Sequence, residues 1–261
     1  MVSIATWNVN SVNARLPVVL DWLKESKPDI ALLQETKVVN ENFPRMEIEE
    51  LGYNLDLHGQ KTYNGVAILS KYKLEDVVTH LPGEDADDHA RYIEAVATIG
   101  KKVLRVVSVY VPNGNEIGSD KYEFKLRFYD RLYAHVKQLL EYDEMLIIGG
   151  DFNVAMDPID VHDPKVWQDS VLFHLSMRQK LRAFANLGLV DAFRALNPHS
   201  IQYSWWDYRA GSRGSNKGLR IDYLFASPQA TDRLSNCIIE EKWRDFEKAS
   251  DHASVKCELS M

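Results

Sequence analysis

The chain of 261 residues has only two cysteines, and neither sits in a CxxC pair or at metal-ligand spacing. Cys237 and Cys257 lie in apolar, strand-like surroundings, so they read as reduced core thiols rather than a disulfide or a zinc site. No apolar run approaches the roughly 20 residues needed to cross a bilayer, which excludes a helical span. The N-terminal residues pass straight into strand-like "VSIATW" without a basic, apolar and small-residue leader, so no membrane partner and a cytoplasmic location are expected. Positive charge is in deficit, with 31 Lys and Arg against 38 Asp and Glu and a net charge of -7. That excludes a uniformly basic protein that coats nucleic acid, though a local basic groove is compatible with it. No linker, low-complexity tract or repeat breaks the chain, and we expect one domain over 1–261 and a monomer.

The 45% hydrophobic content is ample for a core. Leu16, Val19, Leu20 and Leu23 recur at helical spacing, with Pro17 tolerated in the first turn and Lys27-Pro28 marking the stop. "DIALLQET", "GVAILS", "YIEAVATI" and "KVLRVVSVYV" read as strands, the last two adjacent across the Gly100-Lys101 turn. A helical stripe of Phe128, Leu132, Val136, Leu139 and Leu140 leads into "MLIIGGDFN", a buried strand that ends in Gly149-Gly150-Asp151-Phe152-Asn153. Residues 154–175, with two prolines and no clear period, are predicted as one long loop. Ser176 is predicted to cap a helix running to Leu187 and stopped by Gly188. "YSWWDY", "LRIDYLFAS", "CIIEEKW" and "SVKCEL" complete an α/β mixture of about ten strands with a few helices.

One arrangement recurs: an apolar strand runs into acids and amides at its end. "SIATW" delivers Asn8 and Asn10, "DIALLQ" delivers Glu35, "VVSVYV" delivers Tyr110 and Asn113, and "MLIIGG" delivers Asp151 and Asn153. "GLRIDYLF" carries Asp222 inside it, and "ASDHASV" offers Asp251 and His252 before the final strand. Taken singly, each has an ordinary explanation as a turn residue, a helix cap or a surface group. No sheet needs an acid or amide at so many strand ends, however. Asp222 weighs most, because an unpaired carboxylate among Leu219, Ile221, Leu224 and Phe225 is expensive, and His252 is the partner best placed to resolve that cost. No Ser or Cys stands in a nucleophile setting. The remaining oxygen ligands suit a hard cation such as Mg²⁺ and donors for phosphate oxygens.

"TWNVN", "LLQETK", "YVPNG", "GGDFN", "GLRIDYLF" and "SDHASV" occur in the order found in the endonuclease/exonuclease/phosphatase superfamily. The chain most resembles its exonuclease III branch of abasic-site (AP) endonucleases, over essentially its whole length. "YVPNG" and "YSWWDYR" joined to "GLRIDYLF" select that branch over the lipid and inositol phosphatases. The resemblance implies a four-layered α/β sandwich, two mixed β-sheets flanked by helices, with the site at one edge. It implies a nuclease that cuts 5′ to abasic sites in duplex DNA, trims blocked 3′ ends and needs Mg²⁺, with Mn²⁺ a substitute. Glu35 would be the principal metal ligand, with Asn10 and Asp251 near the ion. Asp151 would orient and deprotonate the attacking water, with Asn153 and Asn8 holding phosphate and water in line. His252, held by Asp222, would donate to the phosphate, and Tyr110 and Asn113 would bind the phosphate or help the leaving oxygen.

Trp205, Trp206 and Leu219 match the branch's pocket for a flipped-out, base-less sugar. Adjacent strand residues face opposite sides, so one Trp belongs to the core, and Trp205 is assigned to the pocket. Arg209, Arg213 and Lys217, in the loop "RAGSRGSNKG", are expected to contact phosphates. A phosphatase or sphingomyelinase of the same superfamily and a non-catalytic lesion binder are the competing readings. The former would act on a soluble inositol phosphate, and the latter would lack part of the acid and amide set.

Overall fold

The computed structural model describes residues 1–83, 87–209 and 211–261. In chain order these form β1 (Val2–Asn8), α1 (Leu16–Ser26), β2 (Ile30–Gln34), α2 (Arg45–Glu49), β3 (Asn54–His58), β4 (Val66–Ser70), β5 (Leu74–Val78), β6 (Tyr92–Ile99) and β7 (Lys102–Tyr110). There follow α3 (Asp120–Leu140), β8 (Met145–Asp151), α4 (Pro164–Trp167), α5 (Leu175–Ala185), β9 (Val190–Asp191) and α6 (Ala192–Leu196). The chain closes with β10 (Asp222–Ala226), α7 (Pro228–Thr231), β11 (Leu234–Glu240) and β12 (Ser254–Leu259). The strands build two six-stranded sheets, ordered β11, β12, β1, β2, β4, β3 and β5, β6, β7, β8, β10, β9. β1 with β2 and β7 with β8 run parallel. The other pairs are antiparallel, so both sheets are mixed.

Period-two alternation makes the layers. In β1, Ile4 faces the second sheet while Ala5 and Trp7 face outward against Val19, Trp22 and Leu23 of α1. In β8, Met145 and Ile147 meet the first sheet, while Leu146 and Ile148 face Phe128, Leu132 and Val136 of α3 and Leu181 of α5. Three apolar clusters therefore separate four layers, helix, sheet, sheet and helix, as the resemblance implied. Gly149 lets the sheets approach, since a β-carbon there would lie 2.6 Å from Leu32 Cδ1 and 2.8 Å from Leu224 Cδ2. At Gly150 it would lie 1.9 Å from the Val109 carbonyl oxygen. The two glycines before Asp151 are thus packing requirements. Cys237 and Cys257 are free and buried, facing each other across β11 and β12. Among the described residues no helix is long and apolar enough to cross a membrane.

Several expectations need correction. Residues 154–175 are not one loop, because Pro158–Asp160 forms a 3₁₀ turn and α4 follows, each opened by a proline whose fixed φ suits a first turn. His174, not Ser176, caps α5: its Nδ1 accepts from the Ser176 N–H at 3.3 Å, while the Ser176 hydroxyl lies 2.8 Å from Tyr122 Oη. "YSWWDY" makes isolated bridges, Trp205 with Leu219 and with His252, rather than a strand. Asp222 opens β10 instead of lying inside it, yet remains fully buried. β3, β5 and the two-residue β9 were not anticipated; β5 is an edge strand with mostly exposed residues and a register shift, which leaves no alternation to read.

Candidate active site

The topology gathers the ends of β1, β2, β7, β8, β10 and β12, three from each sheet, at one end of the sandwich. Asn8 pairs with Gln34, just before Glu35, while Asp151 pairs with Tyr110 on one side and Asp222 on the other. β12 runs antiparallel to β1, so Asp251 and His252, which precede it, also arrive beside Asn8.

Asp151 is the hub and is 1% exposed. Its Oδ2 accepts from Asn8 Nδ2 at 3.0 Å and Asn153 Nδ2 at 3.3 Å, and its Oδ1 from the Asn153 N–H at 2.9 Å. Asn113 Nδ2 in turn donates to Asn153 Oδ1 at 3.1 Å. His252 lies between two acids, with Nδ1 2.9 Å from Asp222 Oδ2 and Nε2 3.8 Å from Asp151 Oδ2. The Ser204 hydroxyl donates to Asp222 Oδ2 at 2.6 Å and satisfies that oxygen further. Burial alone would lower the imidazole pKa, but Asp222 and Asp151 lift it to about 10. Burial raises Asp151, helped by Asp222 and Glu35 and opposed by His252.

Glu35 is tied to the same hub, because Asn8 Nδ2 also donates to Glu35 Oε1 at 2.9 Å. Its backbone is left-handed at φ 50°, as are Asn10 at 45° and Asn153 at 52°. For a glutamate this costs about 1–3 kcal/mol, a strain characteristic of functional sites. Hydrogen bonds from the Ser11 N–H to Glu35 O at 2.7 Å and from the Lys37 N–H to Asn64 O at 2.8 Å hold it there. The donor chemistry fits a hard cation: the Lys37 ammonium sits 2.7 Å from Glu35 Oε2 and 2.6 Å from Asn10 Oδ1, so two candidate ligand oxygens already converge on positive charge. Burial opposes ionisation of Glu35, but Lys37 and Asn8 overcome it and lower its pKa. Asn10 Nδ2 also donates to Asp251 Oδ1 at 2.9 Å, and burial, with the Glu35 and Asp151 charges nearby, holds the Tyr110 hydroxyl well above its usual pKa. Asp151, Asp222 and His252 likewise offer atoms within 4.8 Å of one another. An imidazole held protonated has no lone pair for a metal, so the oxygen set around Glu35 fits better.

The proposed sugar pocket divides. Trp205 is half-buried, donates through Nε1 to Asp251 Oδ2 at 3.0 Å and stands edge-on to Trp167 with ring centroids 6.1 Å apart. Trp206 and Leu219 are fully buried, Trp206 in the core between the sheets beneath Arg213. Arg213 is taken up by Asp245 at 2.7 Å and Glu241 at 2.8 Å, whereas Arg209 binds its neighbour Asp207 and its side chain is 88% exposed. Lys217 is exposed. The side chains of Asn8, Asn10, Glu35, Asn113, Asp151, Asn153, Trp205, Asp222, Asp251 and His252 form one bonded network, with Tyr110 close to Glu35 and Asp151. The side chains of Trp206, Leu219, Arg209, Arg213 and Lys217 lie outside this network, and Trp206 and Leu219 reach it only through backbone bonds to Asp251 and Trp205. Lys37 and Ser204, to which the sequence reading gave no role, belong to it as well. Lys37 could have been found inside "LLQETK", two residues from Glu35; a lone serine carries no comparable signal.

Residues 5–252 match the Endonuclease/Exonuclease/phosphatase family, and the chain belongs to it. It is 32% identical to exodeoxyribonuclease III of Haemophilus influenzae over 97% of this chain and 98% of that one. Solved structures agree: an AP endonuclease from Archaeoglobus fulgidus superposes with a TM-score of 0.94 at 38% identity, covering all of both chains. A 3′ phosphatase from Neisseria bound to a product DNA hairpin does so with a TM-score of 0.95 at 34% identity, again over both full chains. Within the family the chain is of the exonuclease III and AP endonuclease type, a nuclease and hydrolase.

Proposed function

We propose that the chain hydrolyses the phosphodiester 5′ to abasic sites in duplex DNA and clears blocked 3′ ends, with Mg²⁺ as its metal and Mn²⁺ as a substitute. The observation that carries this reading is the buried Asp151 carboxylate, flanked by His252 and joined to Glu35 through one Asn8 amide. Similarity to both an AP endonuclease and a 3′ phosphatase supports both substrates.

Enzymes supply about 8–23 kcal/mol, and general acid–base catalysis alone gives about 10²–10⁴-fold, so a reaction this slow calls for more. A cation held by Glu35, with Asn10 and Asp251 beside it, would neutralise charge on the phosphate and help position water. Asp151, whose pKa burial raises and His252 lowers, is placed to take a proton from that water. Asn8 and Asn153 spend their amide donors on Asp151, Glu35 and the Val111 carbonyl, and so hold the carboxylate in line for the attacking water. His252 stays protonated beside Asp222 and donates to a phosphate oxygen as negative charge grows. Tyr110 and Asn113 reach the leaving oxygen, Trp205 walls a base-less sugar, and Arg209 and Lys217 meet phosphates of the strand.

The test uses one duplex with a tetrahydrofuran abasic analogue and one with a 3′-terminal phosphate, each with Mg²⁺ and with EDTA. Cutting or phosphate release in Mg²⁺ alone is expected. Activity unchanged in EDTA removes the metal, and hydrolysis of inositol phosphates in place of either duplex selects the phosphatase reading.

A further inference from the structure

Lys125 lies on the buried stripe of α3 with Tyr122, Phe128, Tyr129 and Leu132, and it is 0% exposed. A buried ammonium is expensive unless its donors are used. Its Nζ donates to the main-chain carbonyls of Asn153 at 2.7 Å, Asn113 at 2.9 Å and Val171 at 3.4 Å. Three acceptors match the three N–H donors of the cation, and none is a carboxylate. Burial pulls the ammonium down to about 7 while Asp151 opposes that fall.

The three carbonyls belong to separate segments, one after β7, one after β8 and one before α5. Two of them carry the asparagines that meet through Asn113 Nδ2 and Asn153 Oδ1, and Asn153 holds both oxygens of Asp151. Room for the stem is provided at Gly114, φ 88°, where a β-carbon would lie 2.8 Å from Lys125 Cδ.

We propose that Lys125 is a positioning residue that, from beneath the site, fixes the backbones of Asn113 and Asn153 and through them the orientation of the Asp151 carboxylate. This rests on the roles assigned to Asp151 and Asn153 above. The bonds of Lys125 go to Asn113, Asn153 and Val171 and not to Glu35, Asn10 or Asp251, so its removal acts on the alignment of Asp151 and leaves the metal-binding oxygens in place.

Lys125→Met, Lys125→Arg, Asn153→Ala and the Met–Ala double variant are compared with the unmodified chain on both DNA substrates. Side-chain amide NMR spectra of the metal-free proteins accompany the kinetics. Lys125→Met is expected to lose about 10²-fold in kcat, the scale of a 1 Å misplacement, with KM little changed and metal dependence unaltered. Lys125→Arg recovers part of kcat, and the double variant is no worse than the worse single one. The amide signals of Asn113 and Asn153 shift or broaden, whereas that of the remote Asn54 does not. Unperturbed signals for both asparagines, unaltered kcat in a folded Met variant, or strictly additive losses with Asn153→Ala overturn the proposal. If Lys125→Met does not fold, Lys125→Gln is judged by the same criteria. If the unmodified chain cuts neither duplex, the functional reading fails, and the amide spectra alone still decide whether Lys125 sets the two asparagines.

Discussion

His252 Nδ1 lies 2.9 Å from Asp222 Oδ2, and both residues are buried, so imidazole and carboxylate behave as one unit. Removing either leaves the other without its partner, at about 3–5 kcal/mol for a broken buried pair. Asp222→Asn and His252→Ala should each lower kcat by about 10²–10³-fold, the usual cost of losing an oriented donor to a developing oxyanion. Combined, they should be little worse than the worse single variant. Single-turnover rates of the three variants decide it, and losses that simply multiply would dissolve the pair.

Glu35→Gln keeps the size of the side chain and the contact with Asn8 but removes the charge. The metal concentration for half-maximal activity should rise by at least about 10–100-fold, the cost of losing even an outer partner of a metal ligand. Excess Mg²⁺ or Mn²⁺ should restore part of the rate. Metal titration of activity reads this directly, and an unshifted midpoint would take Glu35 out of the metal site.

Much of this was legible in the sequence because strand ends were marked by both pattern and chemistry. β8 reads as an apolar run closed by Gly149-Gly150, and the acids and amides at the ends of β1, β2, β7 and β8 proved to be hydrogen-bonded neighbours. What was not legible depends on partners distant in the chain. β5 carries no alternation because it packs only at an edge, and Trp205 bridges Leu219 and His252 singly where its sequence suggested a strand. Arg213 looked like a free phosphate contact, but Glu241 and Asp245, about thirty residues on, already hold it. Lys125 was visible in one sense, as a lysine inside the apolar stripe of α3, but the carbonyls that receive it come from three segments no local pattern links.

The raised imidazole has a consequence for metal-free stability. A folded pKa of about 10 for His252 exceeds the unfolded value of 6.5, so folding takes up a proton between them. The stabilisation is complete below about 6.5 and is lost as pH rises toward 10, by at most about 1.4 kcal/mol per pH unit. In EDTA, the Tm of the unmodified chain should therefore fall from pH 7 to pH 10 more steeply than that of His252→Ala. Parallel curves would mean that the imidazole is not held protonated.

The two adjacent tryptophans should part company. Trp205→Ala removes a half-exposed ring beside Asp251 and should cost more in kcat/KM on the abasic duplex than on 3′-phosphate release. Trp206→Ala empties a fully buried site and should cost about 3–5 kcal/mol of stability instead. Thermal melts with both substrate assays separate them. Equal activity losses for both variants, without destabilisation, would show that neither ring selects the lesion.

Asp151→Asn tests the water-activating role most directly, because the amide keeps the shape of the side chain while removing the base. It should bind abasic duplex in EDTA with a Kd close to that of the unmodified chain and, with Mg²⁺ restored, show no measurable turnover in single-turnover cutting. Near-normal cutting, or a loss confined to KM, would contradict the assignment of Asp151 as the group that takes the proton from the attacking water.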